Sequence, residues 1–310
     1  MYLKKEHRIL LAVIVILAGY LAVHQTGSRH YVLPRVALIE PRDITKLTIA
    51  GAKGTITLRK SGDAWTIAPQ GYPANRDIAD NMANDVTGLT LTALAAESGN
   101  ESVYELDSGH RIEVTAYEGD KPVRTLDIGK TASPGNHTFV QFDHRPGIYH
   151  AERNLRASFD RTESDLRDKS VMDINEEITA LTLSKGKKKT TIERSTSSAA
   201  ATTAGREAKP AAQWSVSGRK IADSAEIDDL ITALSHLSCS AYLDGKEKKD
   251  FTAPAYTVSL TGKSAYTLSL FTEKDKSIAA LSSQSPYPFM MSDWQAKKII
   301  KDIDTLSARK

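Results

Sequence analysis

His137, Asp143, His144 and His150 crowd one short stretch of the chain with side chains that metals favour. Clustered imidazole and carboxylate are the usual donor set of zinc and related ions. On a hairpin, His144 would lie at the tip while His137 and His150 face each other near the base. The corresponding part of the second half has Ser277, Gln284 and Met291 instead. The favoured reading is therefore polar residues on a solvated hairpin, and no metal site is assigned.

Asp165, Arg167, Asp168 and Lys169 have the types of an acid/base constellation, but alternating charge at this spacing more often makes a local ion-pair network or a cap. Lys185-Gly-Lys-Lys-Lys189 reads as a basic hairpin tip: a solvated turn, or a contact for anionic headgroups or a cell-wall polymer. Trp65 and Trp214 recur at equivalent places and read as core, whereas Trp294 has no counterpart and is the aromatic most free to serve a contact. Cys239, the one cysteine, reads as a small packed hydrophobe, because a lone thiol makes no internal disulfide. No Walker-type, dinucleotide-binding, nucleophile-elbow, H-E-x-x-H or C-x-x-C pattern occurs. No catalytic, cofactor-binding or metal residue is assigned, no cofactor is expected, and the chain reads as something other than an enzyme.

The elements that position these residues come from a repeat. Ile44-Thr-Lys-Leu-Thr-Ile49 is answered by Ile178-Thr-Ala-Leu-Thr-Leu183, and Thr55–Ser61 by Thr190–Ser195. The strand carrying Trp65 is answered by the one carrying Trp214. The low-complexity stretch 196–211 replaces the tight Ser61-Gly62-Asp63 turn, so it reads as a mobile hairpin tip in the second copy rather than an interdomain linker. Asn75 and Ser224 each stand as an N-cap before an apolar stripe. The first stripe is Ile78, Met82, Val86 and Leu89, and the second is Ile227, Leu230, Ile231, Leu234 and Leu237. Four alternating strands and a short helix, around 152–160 and 293–306, close each copy. The expected fold class is α+β: a transmembrane helix and then two tandem antiparallel units of order βββ-α-ββββ-α.

At 310 residues the chain has room for two ordinary domains of about 150 residues. With 25% charged and 40% apolar residues it is no polytopic membrane protein, collagen or disordered chain. The formal charge of +3 is concentrated in Lys4, Lys5 and Arg8, so the remaining body is nearly neutral and a nucleic-acid partner is not supported. Those basic residues precede the uncharged run Ile9–Val23. The pattern reads as a transmembrane signal anchor, with a cleaved signal peptide as its rival. At about 1.5 Å per residue the run reaches about 22 Å, short of a ~30 Å hydrocarbon core, so flanking residues must help. The expected divisions are a cytoplasmic segment 1–8, an anchor 9–23 in the lipid bilayer, a juxtamembrane linker 24–42, a first unit 43–172 and a second unit 173–310. The expected location is the bacterial inner membrane, single-pass, with the bulk of the chain on the extracytoplasmic side.

The ordered set of ITKLTI, the Trp65-Thr-Ile67 strand, a capped helix, Tyr104-Glu-Leu-Asp107, Leu126-Asp-Ile-Gly129 and Asp165-Leu-Arg-Asp-Lys169 resembles the bacterial family called domain of unknown function 4340. The resemblance covers about residues 44–172 well and the second copy more loosely. The family usually has Gly and a nearby Pro around its Tyr-x-Leu-Asp motif, where this chain has Glu105 and Ser108-Gly109. Members are typically membrane-anchored exported proteins, some associated with components resembling gliding-type ABC transporters. The resemblance thus implies an auxiliary role beside a transporter and carries over no catalytic residue. The expected function is a membrane-anchored, non-catalytic envelope protein that binds another envelope or membrane protein, such as an ABC transporter complex. A carbohydrate- or peptidoglycan-binding module is the alternative, and a hydrolase the third reading.

Overall fold

The structure is a computed structural model that describes residues 5–25, 32–133, 135–195, 213–216, 219–220, 224–272 and 278–301. The low-complexity stretch expected to form a hairpin tip lies outside these. The first element is helix α1 (Lys5–Gln25), whose Ile9, Leu10, Leu11 and Ile14 are exposed. Among the described residues no helix is long and apolar enough to cross a membrane. The expected transmembrane anchor at 9–23 and the single-pass inner-membrane location that followed from it are overturned by this finding. The physical reason is length: the uncharged run falls about 8 Å short of a ~30 Å core, and the sequence on either side is charged or polar.

Alternation of apolar and polar residues makes the next segments strands. In the first compact unit, Met1–Tyr72 with Arg76–Thr162, these are β1 (Lys46–Gly51), β2 (Gly54–Ser61), β3 (Ala64–Ala68) and β4 (Tyr72–Pro73). Helix α2 (Arg76–Thr87) follows, and then β5 (Leu91–Ala96), β6 (Ile112–Glu118), β7 (Lys121–Ala132), β8 (His137–Phe142), β9 (Ile148–Ala151) and helix α3 (Leu155–Phe159). The nine strands form one sheet of order β4-β3-β2-β1-β6-β7-β8-β9-β5, in which β1 to β3 and β5 to β9 pair antiparallel. Leu47, Ile49, Leu58, Trp65, Ile67, Val114, Leu126 and Val140 are all buried, and α2 buries Ala79, Met82, Ala83 and Val86.

The second unit, Pro73–Asn75 with Glu163–Lys310, begins with α4 (Glu163–Leu166) and β10 (Ser170–Asp173). It continues through β11 (Ala180–Lys185), β12 (Lys188–Ser195), β13 (Gln213–Val216), β14 (Arg219–Lys220), α5 (Ser224–Ser235), β15 (His236–Ser238) and β16 (Ala241–Tyr242). The last elements are β17 (Tyr256–Thr261), β18 (Ala265–Thr272), β19 (Ile278–Ser282), β20 (Phe289–Met291) and α6 (Asp293–Ile299). Its large sheet has the order β14-β13-β12-β11-β17-β18-β19-β20-β16, the same path as the first, while β10 and β15 pair separately. The likeness extends to single bonds. Thr45 N–H donates to the Tyr117 carbonyl (2.9 Å) and the Thr45 carbonyl accepts from Lys60 N–H (2.8 Å); the Thr179 N–H and carbonyl do the same with Thr261 (2.8 Å) and Arg194 (2.8 Å).

The α+β expectation is corrected by this architecture, which is mostly antiparallel sheet with few helices. Two causes are visible. The Leu91–Ala96 strand has a helix-favouring Leu/Ala composition and no clean alternation of burial, yet it pairs with β9 as a sheet edge through two register shifts. The closing helix expected over 152–160 shrinks to Leu155–Phe159, and of that expected over 293–306 the described part is Asp293–Ile299.

One device fastens a helix to each sheet. Trp65 is 2% exposed and sits opposite Lys60 in the β2–β3 register; its indole N–H donates to Asp80 Oδ1 on α2 at 2.8 Å. The Lys60 ammonium lies 5.3 Å from the ring centroid and 3.5 Å from Asp80. In the second unit Trp214, 1% exposed, sits opposite Arg194 and donates to Asp228 Oδ1 on α5 at 2.9 Å, with the guanidinium 5.9 Å from the ring. Burial pushes the Asp80 carboxyl up, but the Trp65 indole, Lys60 and Arg76 together hold it below its ordinary value. A bond from a neutral donor to a charged acceptor contributes about 1.5–3 kcal/mol. Trp65→Phe and Trp214→Phe should each lower the stability of their own unit by about that much, read by calorimetry. Because the folded pKa of Asp80 is depressed, its contribution is full above 3.8 and is lost as pH falls through the lower folded value. Acid titration of Asp80→Asn should lack that step.

Candidate functional site

The hairpin cluster comes apart in the structure. His137 on β8 and His150 on β9 approach with ring centroids 6.3 Å apart, and His150 stands edge-on to Phe139 at 4.6 Å. Asp143 turns elsewhere: its Oδ2 lies 3.3 Å from Nε of Arg124, and its Oδ1 accepts from Thr125 N–H at 3.1 Å. Arg124 is wholly buried and also donates to the carbonyls of Val86, in the last turn of α2, and of Ala37. Asp143 therefore balances an interior charge. His144 occupies the left-handed turn beside it, with φ 53°. Among the described residues no group of three or more His, Cys, Asp or Glu could hold a metal ion.

The Asp165–Lys169 segment is structural as well. Arg167 is 4% exposed and stacks 4.1 Å from the centroid of Tyr242 and 5.4 Å from that of Tyr287, while Nη1 donates to Asp244 Oδ1 at 2.7 Å. Tyr242 donates its hydroxyl to the Asp168 carbonyl (2.7 Å), and burial pushes that phenol well above its ordinary value. Lys169 gives its carbonyl to Cys239 N–H at 2.8 Å. Cys239 is buried and its thiol is pushed up by burial, the opposite of what a nucleophile needs. The 185–189 stretch is the exposed turn between β11 and β12, with Gly186 at φ 59°.

The Tyr104–Asp107 and Leu126–Gly129 motifs meet one another. A Cβ on Gly129 would come within 2.2 Å of the Tyr104 carbonyl oxygen, so only glycine lets that turn cross β7. Leu106 is fully buried there. Glu105 holds the left-handed conformation, φ 55°, which explains why glycine suits the position, and its carboxylate pairs with Arg156 at 3.3 Å.

A different arrangement appears at the edge of the second unit. Helix α6 starts in a capping box in which Ser292 and Gln295 satisfy each other's backbone N–H groups. It buries Ala296 and Ile299, and α5 buries Ile227, Leu230 and Leu234. Trp294 points away from that core and is 64% exposed. It borders a groove of about 210 Å³ lined by Thr232, His236, Leu237, Trp294, Lys298 and neighbouring residues of α5 and α6. The Lys298 ammonium lies 3.9 Å from the Trp294 ring centroid. His236 Nδ1 faces Asp173 at 3.2 Å. The groove offers an apolar wall, an exposed aromatic ring and a cation; it holds no nucleophile–base pair. The sequence singled out Trp294 alone. Lys298 stands four residues on, at a spacing that makes neighbours on a helix, whereas Thr232, His236 and Leu237 arrive from a distant helix end that only the fold brings near.

The fold thus consists of two units, each built on a nine-stranded sheet of like topology. A family model described as "Domain of unknown function (DUF4340)" matches residues 65–256, and the chain belongs to that family. No curated protein matches the chain. The matched span takes in both tryptophan–aspartate contacts; Trp294 and Lys298 lie beyond it.

The histidine pair has a measurable consequence. Burial, and then the neighbouring His137, hold His150 below its ordinary value of 6.5. A depressed histidine costs stability as pH falls below 6.5, the loss being complete beneath the lower folded value. NMR titration should place the His150 midpoint under 6.5, and His137→Asn should raise it only part of the way, since burial remains.

Proposed function

We propose that the chain is a non-catalytic scaffold that binds another protein through the groove between α5 and α6. The observation that carries this reading is Trp294, the large aromatic that no core requires, standing exposed at a groove of about 210 Å³. Tryptophan is enriched among residues that dominate protein interfaces. The residues whose types suggested chemistry are engaged elsewhere: Asp143 with Arg124, Arg167 with two tyrosines and Asp244. The family resemblance supplies the partner class, a transporter component.

A saccharide is the competing occupant, since an exposed indole beside Thr232 and His236 resembles a stacking platform. Two contacts weigh against it. Lys298 lies over the Trp294 ring, and the Gln295 amide is taken by the Ser238 carbonyl at 2.8 Å and by Ser292.

A photo-crosslinking residue at position 294 of the full-length chain, expressed in its own cells, should yield one defined protein adduct, while the same residue at Lys187 should not. Trp294→Ala should weaken that partner about 30-fold, the effect of losing about 2 kcal/mol at an interface hot spot. No adduct from 294, or the same adducts from both positions, would contradict the proposal. Retention of the chain on insoluble peptidoglycan that disappears in Trp294→Ala would favour the saccharide.

A further inference from the structure

We infer that the groove takes a peptide segment in which a carboxylate lies close to a large aliphatic or aromatic side chain; this rests on the reading of the groove as a protein-binding site. The argument is one of charge complementarity. Trp294 and Lys298 are one helical turn apart, and the cation is held over the ring at 3.9 Å. Its neighbours are balanced: Lys297 Nζ lies 2.6 Å from Asp293, His236 Nδ1 3.2 Å from Asp173, and Lys301 Nζ 3.3 Å from Glu226. Among the described residues no carboxylate pairs with Lys298. A positive charge at the mouth of an apolar groove, with no counter-ion among the described residues, selects an anionic group on whatever enters.

The walls supply the second half of the specificity. Ala233 and the indole present carbon to the groove, and the buried Leu237 and Ile299 close its floor. A volume of about 210 Å³ admits one large side chain with its own backbone rather than a folded element. An apolar side chain buried against Leu237 and Trp294 would leave an adjacent carboxylate within reach of the ammonium. Both ends of the contact are then satisfied at once: apolar area leaves water and the cation gains its counter-charge.

The chain's own sequence after Lys301 contains Asp302, Ile303, Asp304 and Leu306, so the test must separate an occupant in cis from one in trans. A random linear octapeptide display library is selected on the full chain, on a chain ending at Lys301, and on the Trp294→Ala and Lys298→Glu variants of the full chain. The expected result is the same enriched set on the first two, with Asp or Glu within three residues of Leu, Ile, Phe or Trp. Trp294→Ala should lose the set, while Lys298→Glu should keep the apolar preference and lose the acidic one. Unchanged melting temperatures would show that both variants fold, as expected for a side chain 64% exposed and its neighbour one turn on. Enrichment without acidic bias, no enrichment at all, or an acidic bias that survives Lys298→Glu would overturn the inference. Enrichment on the shortened chain alone would overturn it in favour of the chain's own terminus. A defined adduct through position 294 combined with a charge-neutral peptide set would leave the protein-binding reading standing and remove only this refinement.

Discussion

An indole N–H aimed at a helix carboxylate is the contact on which each unit depends. A nine-stranded antiparallel sheet with one apolar face must have that face covered, and in each unit a twelve-residue helix, Arg76–Thr87 or Ser224–Ser235, contributes buried apolar side chains to do so. Apolar contact alone leaves such a helix free to slide along the sheet. The Trp65–Asp80 and Trp214–Asp228 bonds fix its position, because a buried indole requires an acceptor and finds it at one particular carboxylate of each helix. The basic residue opposite each tryptophan, Lys60 or Arg194, keeps the assembly electrically satisfied on the strand side.

The other charged residues of the interior act in the same manner. Arg124 joins the last turn of α2, the Ala37 carbonyl and the Asp143 turn through one guanidinium. Arg167 lies between two tyrosine rings and an aspartate, which holds the 163–170 segment on the second unit. The family's ordered motifs are in this sense a description of how the fold is held: a glycine where a turn crosses a strand, a buried leucine, a stacked arginine. The groove at Trp294 lies outside the matched span.

Much of the strand content was legible because alternation is a strong signal. Ile44–Ile49 and Ile178–Leu183 announce β1 and β11, and the apolar stripes announce α2 and α5. The two tryptophans announced themselves as core by recurring. What stayed hidden has physical reasons. Strands of two to four residues, such as β4, β14 and β16, are too short to show a period. Leu91–Ala96 reads as helix by composition and becomes a strand only through its partner β9. The stripe through Leu89 and Leu237 overran both helices, because those residues are buried for reasons of sheet and loop rather than helical face. The uncharged run near the N-terminus reads as a membrane span helped by its flanking residues, whereas among the described residues no helix is long and apolar enough to cross a membrane. At the groove, an aromatic without a counterpart was the only clue; its surroundings are assembled from segments some sixty residues apart.

Two tryptophans for the fold and one for contact is the central claim, and the three indole N–H groups report on it directly in a single NMR spectrum. Hydrogen exchange of the full chain in deuterated water should leave the Trp65 and Trp214 indole signals long-lived, since each is buried and bonded to a carboxylate. The Trp294 signal should vanish at once. A Trp294 indole protected like the other two, or a Trp65 or Trp214 indole that exchanges as fast as Trp294, would contradict this division of roles.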